Sequence, residues 1–185
     1  MKEKFILCES CKERGFIRPS ACCLSQPKKT EFIYPVRHLV TNEKTGEWCK
    51  IPYPGHAKGC PNYGKADRCP PKAPAVSKYF DLSKPLFLVH SDFDLEDHQS
   101  KMKANHPEWS DRQCRCVLYW QRTSRKQLKE RIAIALRMHG LNAATMIPEA
   151  MGVNVYATAR ASGLILEPIR TLKKCRHVAL VGTRL

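Results

Sequence analysis

The chain has 185 residues, enough for one domain, with or without a small appended module, and for a core that does not need metal to fold. Its hydrophobic fraction of 43% is ordinary for a globular protein, while 32 Lys and Arg against 17 Asp and Glu leave a formal charge of +15. That excess points to nucleic acid or another polyanion as a partner, although thiolates holding a metal would offset part of it. The first residues, Met1 to Glu9, contain only a three-residue apolar run before an acid, so no signal peptide is expected. No stretch approaches the roughly 18 apolar residues that cross a bilayer. The expected address is therefore a reducing cytoplasm, where ten closely spaced cysteines bind metal or do redox work more often than they form structural disulfides.

In chain order, residues 1 to 30 read as a small zinc-binding module and residues 31 to 185 as an α/β domain carrying a central cysteine motif. The segment Glu31 to Val40 is too interrupted by Pro35 for a helix and reads as a short strand. Pro85 to His90 is a continuous apolar run that suits a buried strand. Ser110-x-x-Gln113 and Ser124-x-x-Gln127 both match the capping box, so a helix is expected after one or both. After the second, Leu128, Ile132, Ala135 and Leu136 share one helix face and Gly140 supplies a stop. A further helix is predicted from Pro148 to Arg160, ended by Gly163, with strands at Leu164–Leu166 and Val178–Val181. The fold class expected is α/β or α+β, a small sheet with packed helices behind a loop-rich, metal-organised N-terminal region.

The chemistry concentrates in Cys60-Pro61-Asn62-Tyr63-Gly64-Lys65-Ala66-Asp67-Arg68-Cys69-Pro70-Pro71, with Cys49 and His56 upstream. Thiolates and imidazole suit zinc, thiolates suit an iron–sulfur cluster, and the surrounding glycines and prolines set tight turns that aim several donors at one point. The competing reading is that Cys60 and Cys69 are small buried residues in a proline-rich loop.

Gly59-Cys60, Tyr63-Gly64-Lys65 and Cys69-Pro70-Pro71, with Pro148-Glu149-Ala150-Met151-Gly152-Val153-Asn154-Val155 and the later Ser162-Gly163-Leu164, resemble a bacterial and archaeal family of predicted metal-binding proteins of unknown function. The likeness spans roughly residues 55 to 166. That family's signature is a leading cysteine, a C-x8-C pair ending in Cys-Pro-Pro, and a second cysteine group before Glu-Ala-x-Gly. Cys60 and Cys69 match the pair. The leading position falls near Gly55 and His56, so His56 or Cys49 would substitute there, and residues 140 to 147 contain no cysteine. The resemblance implies one metal site and no particular reaction.

A second cluster, Cys8-x-x-Cys11 followed by Cys22 and Cys23, has the spacing of a small zinc knuckle, or else is a group of redox-sensitive thiols. Cys114 and Cys116 stand two apart, which does not place them on one helix face, and read as packing thiols or as a contributor to a cluster made elsewhere; Cys175 reads as structural. Arg122, Arg125, Lys126 and Lys129, with Tyr119 and Trp120 beside them, form either a nucleic-acid-binding face or an ordinary solvated helix surface. Asp92, Asp94, Glu96 and Asp97, with His90 and His98, read as a solvated loop or as a site for a hard cation or acid–base work. The expected function is a metal-binding protein, zinc or iron–sulfur, with redox or sulfur chemistry in view. The alternative is a zinc-organised nucleic-acid-binding protein that uses its basic helix face, and the sequence leaves open whether the chain is an enzyme.

Overall fold

The computed structural model describes residues 31–52, 56–168 and 171–185. The chain divides between Glu31 and Phe32, and the fold described is that of the second unit, Phe32–Leu185. The predicted N-terminal zinc knuckle, with Cys8, Cys11, Cys22 and Cys23, lies outside the described residues.

The second unit is an α+β fold built on a four-stranded antiparallel sheet. Its strands are β1 (Ile33–Pro35), β2 (Phe87–His90), β4 (Ala143–Thr145) and β6 (Val178–Gly182), in the order β1-β2-β6-β4. A separate short pair joins β3 (Phe93–Asp94) to β5 (Lys174–Cys175). The helices are α1 (Val76–Tyr79), α2 (Leu95–Asn105), α3 (Asp111–Cys114), α4 (Val117–His139) and α5 (Val155–Ala161), with 3-10 helices at Glu43–Lys50 and Pro148–Met151.

Side chains alternate across a strand, so adjacent residues of β2 and β6 feed opposite faces of the sheet. Leu88, Val178 and Leu180 join a core with Phe80, Met151, Val153, Val155, Ala159 and Leu164. Val89, Ala179 and Val181 face the other way, onto Leu128, Ile132 and Ala135 of α4. Every residue of β6 is buried, as expected of a central strand covered on both faces. The predicted helix stripe of Leu128, Ile132 and Ala135 is thus the contact between α4 and the sheet, and α4 ends at Gly140 in the left-handed conformation.

Several boundaries differ from the sequence expectation, each for a local reason. Ser110 does form a capping box with Gln113, but the helix it starts is the four-residue α3. Ser124 starts nothing: it lies inside α4, buried, with its hydroxyl engaged by tertiary partners. The predicted helix from Pro148 is two pieces. Gly152 turns left-handed after Met151, and Asn154 then caps α5 through a bond from the Ala157 N–H. Leu164–Leu166 forms no strand, and Leu164 instead packs into the core. The acidic run is not a loop but the entry to α2, with Asp94 as the cap accepting from the Asp97 N–H at 2.9 Å. Asp92 is held by Arg176 Nε at 2.8 Å and Arg131 Nη1 at 3.0 Å. Burial opposes its ionisation, but those two guanidinium bonds outweigh it and set the carboxyl below its ordinary range. Asp97 pairs with Lys101 and Glu96 with Lys173, so the run's carboxylates do structural work.

A buried polar ring ties α4 to the sheet. The His177 amide donates to Ser91 Oγ at 3.0 Å, the Ser91 and Ser124 hydroxyls stand 2.8 Å apart, and Ser124 Oγ lies 2.7 Å from His177 Nδ1. Ser91 and Ser124 are almost wholly buried. The arrangement that leaves both hydroxyls partnered has Ser91 donating to Ser124 and Ser124 to Nδ1, which makes His177 neutral. Desolvation and the nearby Arg125 charge lower the His177 pKa, and desolvation lowers that of His98. As pH falls, the unfolded chain takes up these protons first. The resulting stability is therefore complete above about pH 6.5 and declines as pH drops through that value toward the depressed folded pKa values. Denaturant midpoints between about pH 7.5 and 5 should show this slope, well before Asp92 titrates. Ser124→Ala should cost about 1–3 kcal/mol, because it strands Ser91 and Nδ1 in the interior. A flat profile in wild type would contradict the neutral-ring arrangement.

Candidate functional site

The central cysteine segment is a chain of turns fastened to the first 3-10 helix. That helix starts at Asn42, whose side chain accepts from the Lys44 N–H at 2.9 Å, and it places Cys49 near its end. The amide of Cys60 donates to the Cys49 carbonyl at 2.7 Å. This approach depends on Gly59, which is buried with φ +78°, and whose missing Cβ would fall 2.3 Å from the Cys49 oxygen. Farther on, Gly64 N–H bonds Pro70 O at 2.8 Å, and Cys69 N–H bonds Ala66 O at 2.9 Å. Lys72 and Ala73 both donate to the Cys69 carbonyl, and the Pro70–Pro71 bond is cis. Pro70 is buried against Gly46, so the Cys-Pro-Pro end packs on the same helix that carries Cys49.

The second 3-10 helix meets the first from the other direction. Thr45, only 1% exposed, donates its hydroxyl to the Glu149 carbonyl at 2.8 Å, and Asn42 N–H bonds Gly152 O at 2.7 Å. The two halves of the sequence resemblance, the cysteine turns and the Pro-Glu-Ala-Met-Gly segment, therefore share the helix Glu43–Lys50 as a common support. Neither Thr45 nor the closeness of Glu149 to Cys49 follows from cysteine spacing; the sequence marked the Glu149 segment as the start of a helix and as part of the resemblance, not as a neighbour of the thiols.

Burial raises the Cys49 thiol, and the neighbouring Cys60, Cys69 and Glu149 raise it further by like-charge repulsion. The Glu149 carboxyl is also raised, by desolvation. Its residue surface remains open to solvent, so the surrounding protein crowds the carboxyl without sealing it off. Cys49, Cys60 and Cys69 are all half-buried free thiols, and His56 lies exposed at the edge of the turn that leads to Gly59. Among the described residues, no three His, Cys, Asp or Glu side chains converge closely enough as placed to hold an ion.

No protein-family model, curated protein or solved structure matches the chain.

The remaining cysteines stand apart in role. Cys114 is fully buried at the end of α3, whereas Cys116 is half-buried just before α4. Cys175, opposite Phe93 in the short strand pair, is half-buried, with its thiol pushed up to about 11 by burial, which makes it a poor thiolate at neutral pH. The basic residues named from sequence, Arg122, Arg125, Lys126 and Lys129, are all exposed on α4. Their two aromatic neighbours divide. Trp120 is buried and stacks on Phe93 at 5.0 Å, while Tyr119 is 54% exposed. No helix among the described residues is long and apolar enough to cross a membrane.

Proposed function

We propose that the chain is a metal-binding protein whose centre is formed by Cys49, Cys60 and Cys69, with Glu149 and His56 as the adjoining oxygen and nitrogen donors. The observation that supports this most directly is the gathering of three free thiols and a carboxylate on one 3-10 helix and the turns bonded to it. As anions these groups repel one another. A bound cation reverses that balance, because its charge stabilises the Cys49 thiolate that the neighbouring anions destabilise. The half-buried side chains rotate inward on binding, to sulfur–metal distances of about 2.3 Å for zinc. Zinc and an iron–sulfur cluster both accept such a donor set. Three thiolates with the fourth position held by an exchangeable donor, Glu149 or His56, keep the ion reachable by a further ligand, which admits Lewis-acid or sulfur chemistry on zinc and redox chemistry on an iron–sulfur cluster. Free thiols of this kind persist in a reducing compartment, so the proposed location is the cytoplasm.

Elemental analysis and absorption spectroscopy of anaerobically purified full-length chain test the proposal. Wild type should carry zinc, or iron with sulfide and a brown colour, and Cys60→Ser and Cys69→Ser should each lower the metal content by one site. Cys175→Ser should not. Metal content unchanged in both loop variants would sink the reading, whatever the cysteines near the N-terminus bind.

A further inference from the structure

Beside the first turn of α4 lies a groove of about 280 Å³, lined by Trp109, Arg112, Gln113, Cys116 and Tyr119. Three rings stack in a row there. His106 lies 4.0 Å from Trp109 at an interplanar angle of 10°, and Trp109 lies 5.4 Å from Tyr119 at 26°. Tyr119 ends the row and keeps 54% of its surface exposed. A stack that ends in an open ring is a platform for one more planar aromatic group.

The helix that carries Tyr119 continues as a row of cations. Arg122, Lys126 and Lys129 follow it at i+3, i+7 and i+10, on one face, and all are exposed. From Val117 to Lys129 the helix contains no acidic residue; Glu130, one turn after Lys126, is the first, and among the described residues none of Arg122, Lys126 and Lys129 is in an ion pair. Arg112 adds a cation within the groove. The nearby acids are Glu108, which stands 3.8 Å from His106, and Asp111 in the first turn of α3. From Tyr119 to Lys129 the row spans about 15 Å of helix.

We propose that the groove and the cationic row bind a single-stranded polynucleotide, with a base stacked on Tyr119 and phosphates following Arg122, Lys126 and Lys129. A flat ring next to a line of positive charge matches the alternation of base and phosphate in an unpaired strand. A duplex hides its base faces, and a run of acidic side chains alone offers no ring to stack. This interface is separate from the cysteine turns and stands or falls independently of the metal centre.

Fluorescence anisotropy with labelled oligouridylate and oligothymidylate of about 16 nucleotides, on the full chain as purified, tests it. Three phosphate contacts predict a slope of log affinity against log salt of about −2, or roughly a 20-fold loss between about 50 and 200 mM salt. Tyr119→Ala should weaken binding about 5- to 150-fold with the salt slope unchanged, and Tyr119→Phe should restore it. Arg122→Ala should instead shrink the slope by about 0.7. Thermal melts confirm that these surface variants fold. Three results would overturn the proposal: no binding at low salt, equal binding by wild type and Tyr119→Ala, or equal competition by a duplex, polyglutamate or anionic vesicles.

Discussion

Gly59→Ala is expected to disrupt the cysteine centre while leaving every thiol in the chain. Two penalties combine. A left-handed backbone costs an L-residue about 1–2 kcal/mol, and the new Cβ would sit 2.3 Å from Cys49 O and 2.8 Å from Lys50 Cα, both backbone atoms with no side-chain rotation to relieve the overlap. The segment must move away from the 3-10 helix and give up the bond from Cys60 N–H to Cys49 O. The expected loss is at least about 2 kcal/mol in a denaturant titration, together with the metal proposed for this locus. Gly64→Ala is the control. Gly64 is also left-handed, at φ +73°, but its Cβ would meet nothing within 4 Å, so that variant should lose about 1 kcal/mol and keep its metal. Equal metal content in wild type and Gly59→Ala would show that the Cys49–Cys60 approach is not needed to form the centre.

Leu180→Ala should produce a loss of about 2–5 kcal/mol. Leu180 is fully buried in β6, opposite Leu88 of β2 and Thr145 of β4, and its side chain belongs to the core shared with Phe80 and Val153. Neighbours on two strands and from the packed helices prevent the space from closing, so the cavity persists. Against a total stability of about 5–15 kcal/mol this is a large part of the margin, and only at the lower end of that range does it leave a sizeable share of molecules unfolded. Leu118→Ala offers the contrast, since that leucine is 81% exposed and its loss should change stability by less than about 0.5 kcal/mol. A midpoint for Leu180→Ala within error of wild type would contradict the layered core.

What was legible in the sequence follows from periodicity and caps. The apolar run at Pro85 to His90, the leucine and isoleucine stripe before Gly140 and the run Val178 to Val181 became β2, α4 and β6, because each has to bury its face against the others. The errors arose where a local signal competed with tertiary contacts. Ser124 satisfies the capping pattern, yet its hydroxyl is taken by Ser91 and His177 from distant parts of the chain, so it sits within a helix. Pro148 did start a helical turn, but Gly152 and Asn154 together imposed a break and a new start that the apolar pattern did not reveal. For the candidate centre, spacing picked out Cys60 and Cys69, whereas the helix that supports them and the placement of Glu149 depend on contacts across about a hundred residues. Likewise the basic face was readable from sequence, but the stack of His106, Trp109 and Tyr119 beside it was not, since its rings come from two separated segments.

The position of β6 at the middle of the sheet bears on the order of events during synthesis. Its partners β2 and β4 both precede it in the chain, and they lie on either side of it without touching each other. β4 has no strand partner until residues 178 to 182 have emerged, and β2, which pairs with β1 on its other edge, lacks its second neighbour until then. Long-range pairings of this kind slow folding, because the chain loses loop entropy before the contacts form. The turns around Cys60 and Cys69 join residues close in sequence, so their formation does not have to wait for the sheet. On the proposed function, an ion bound at this stage would give the first half of the chain a fixed point before the last strand arrives.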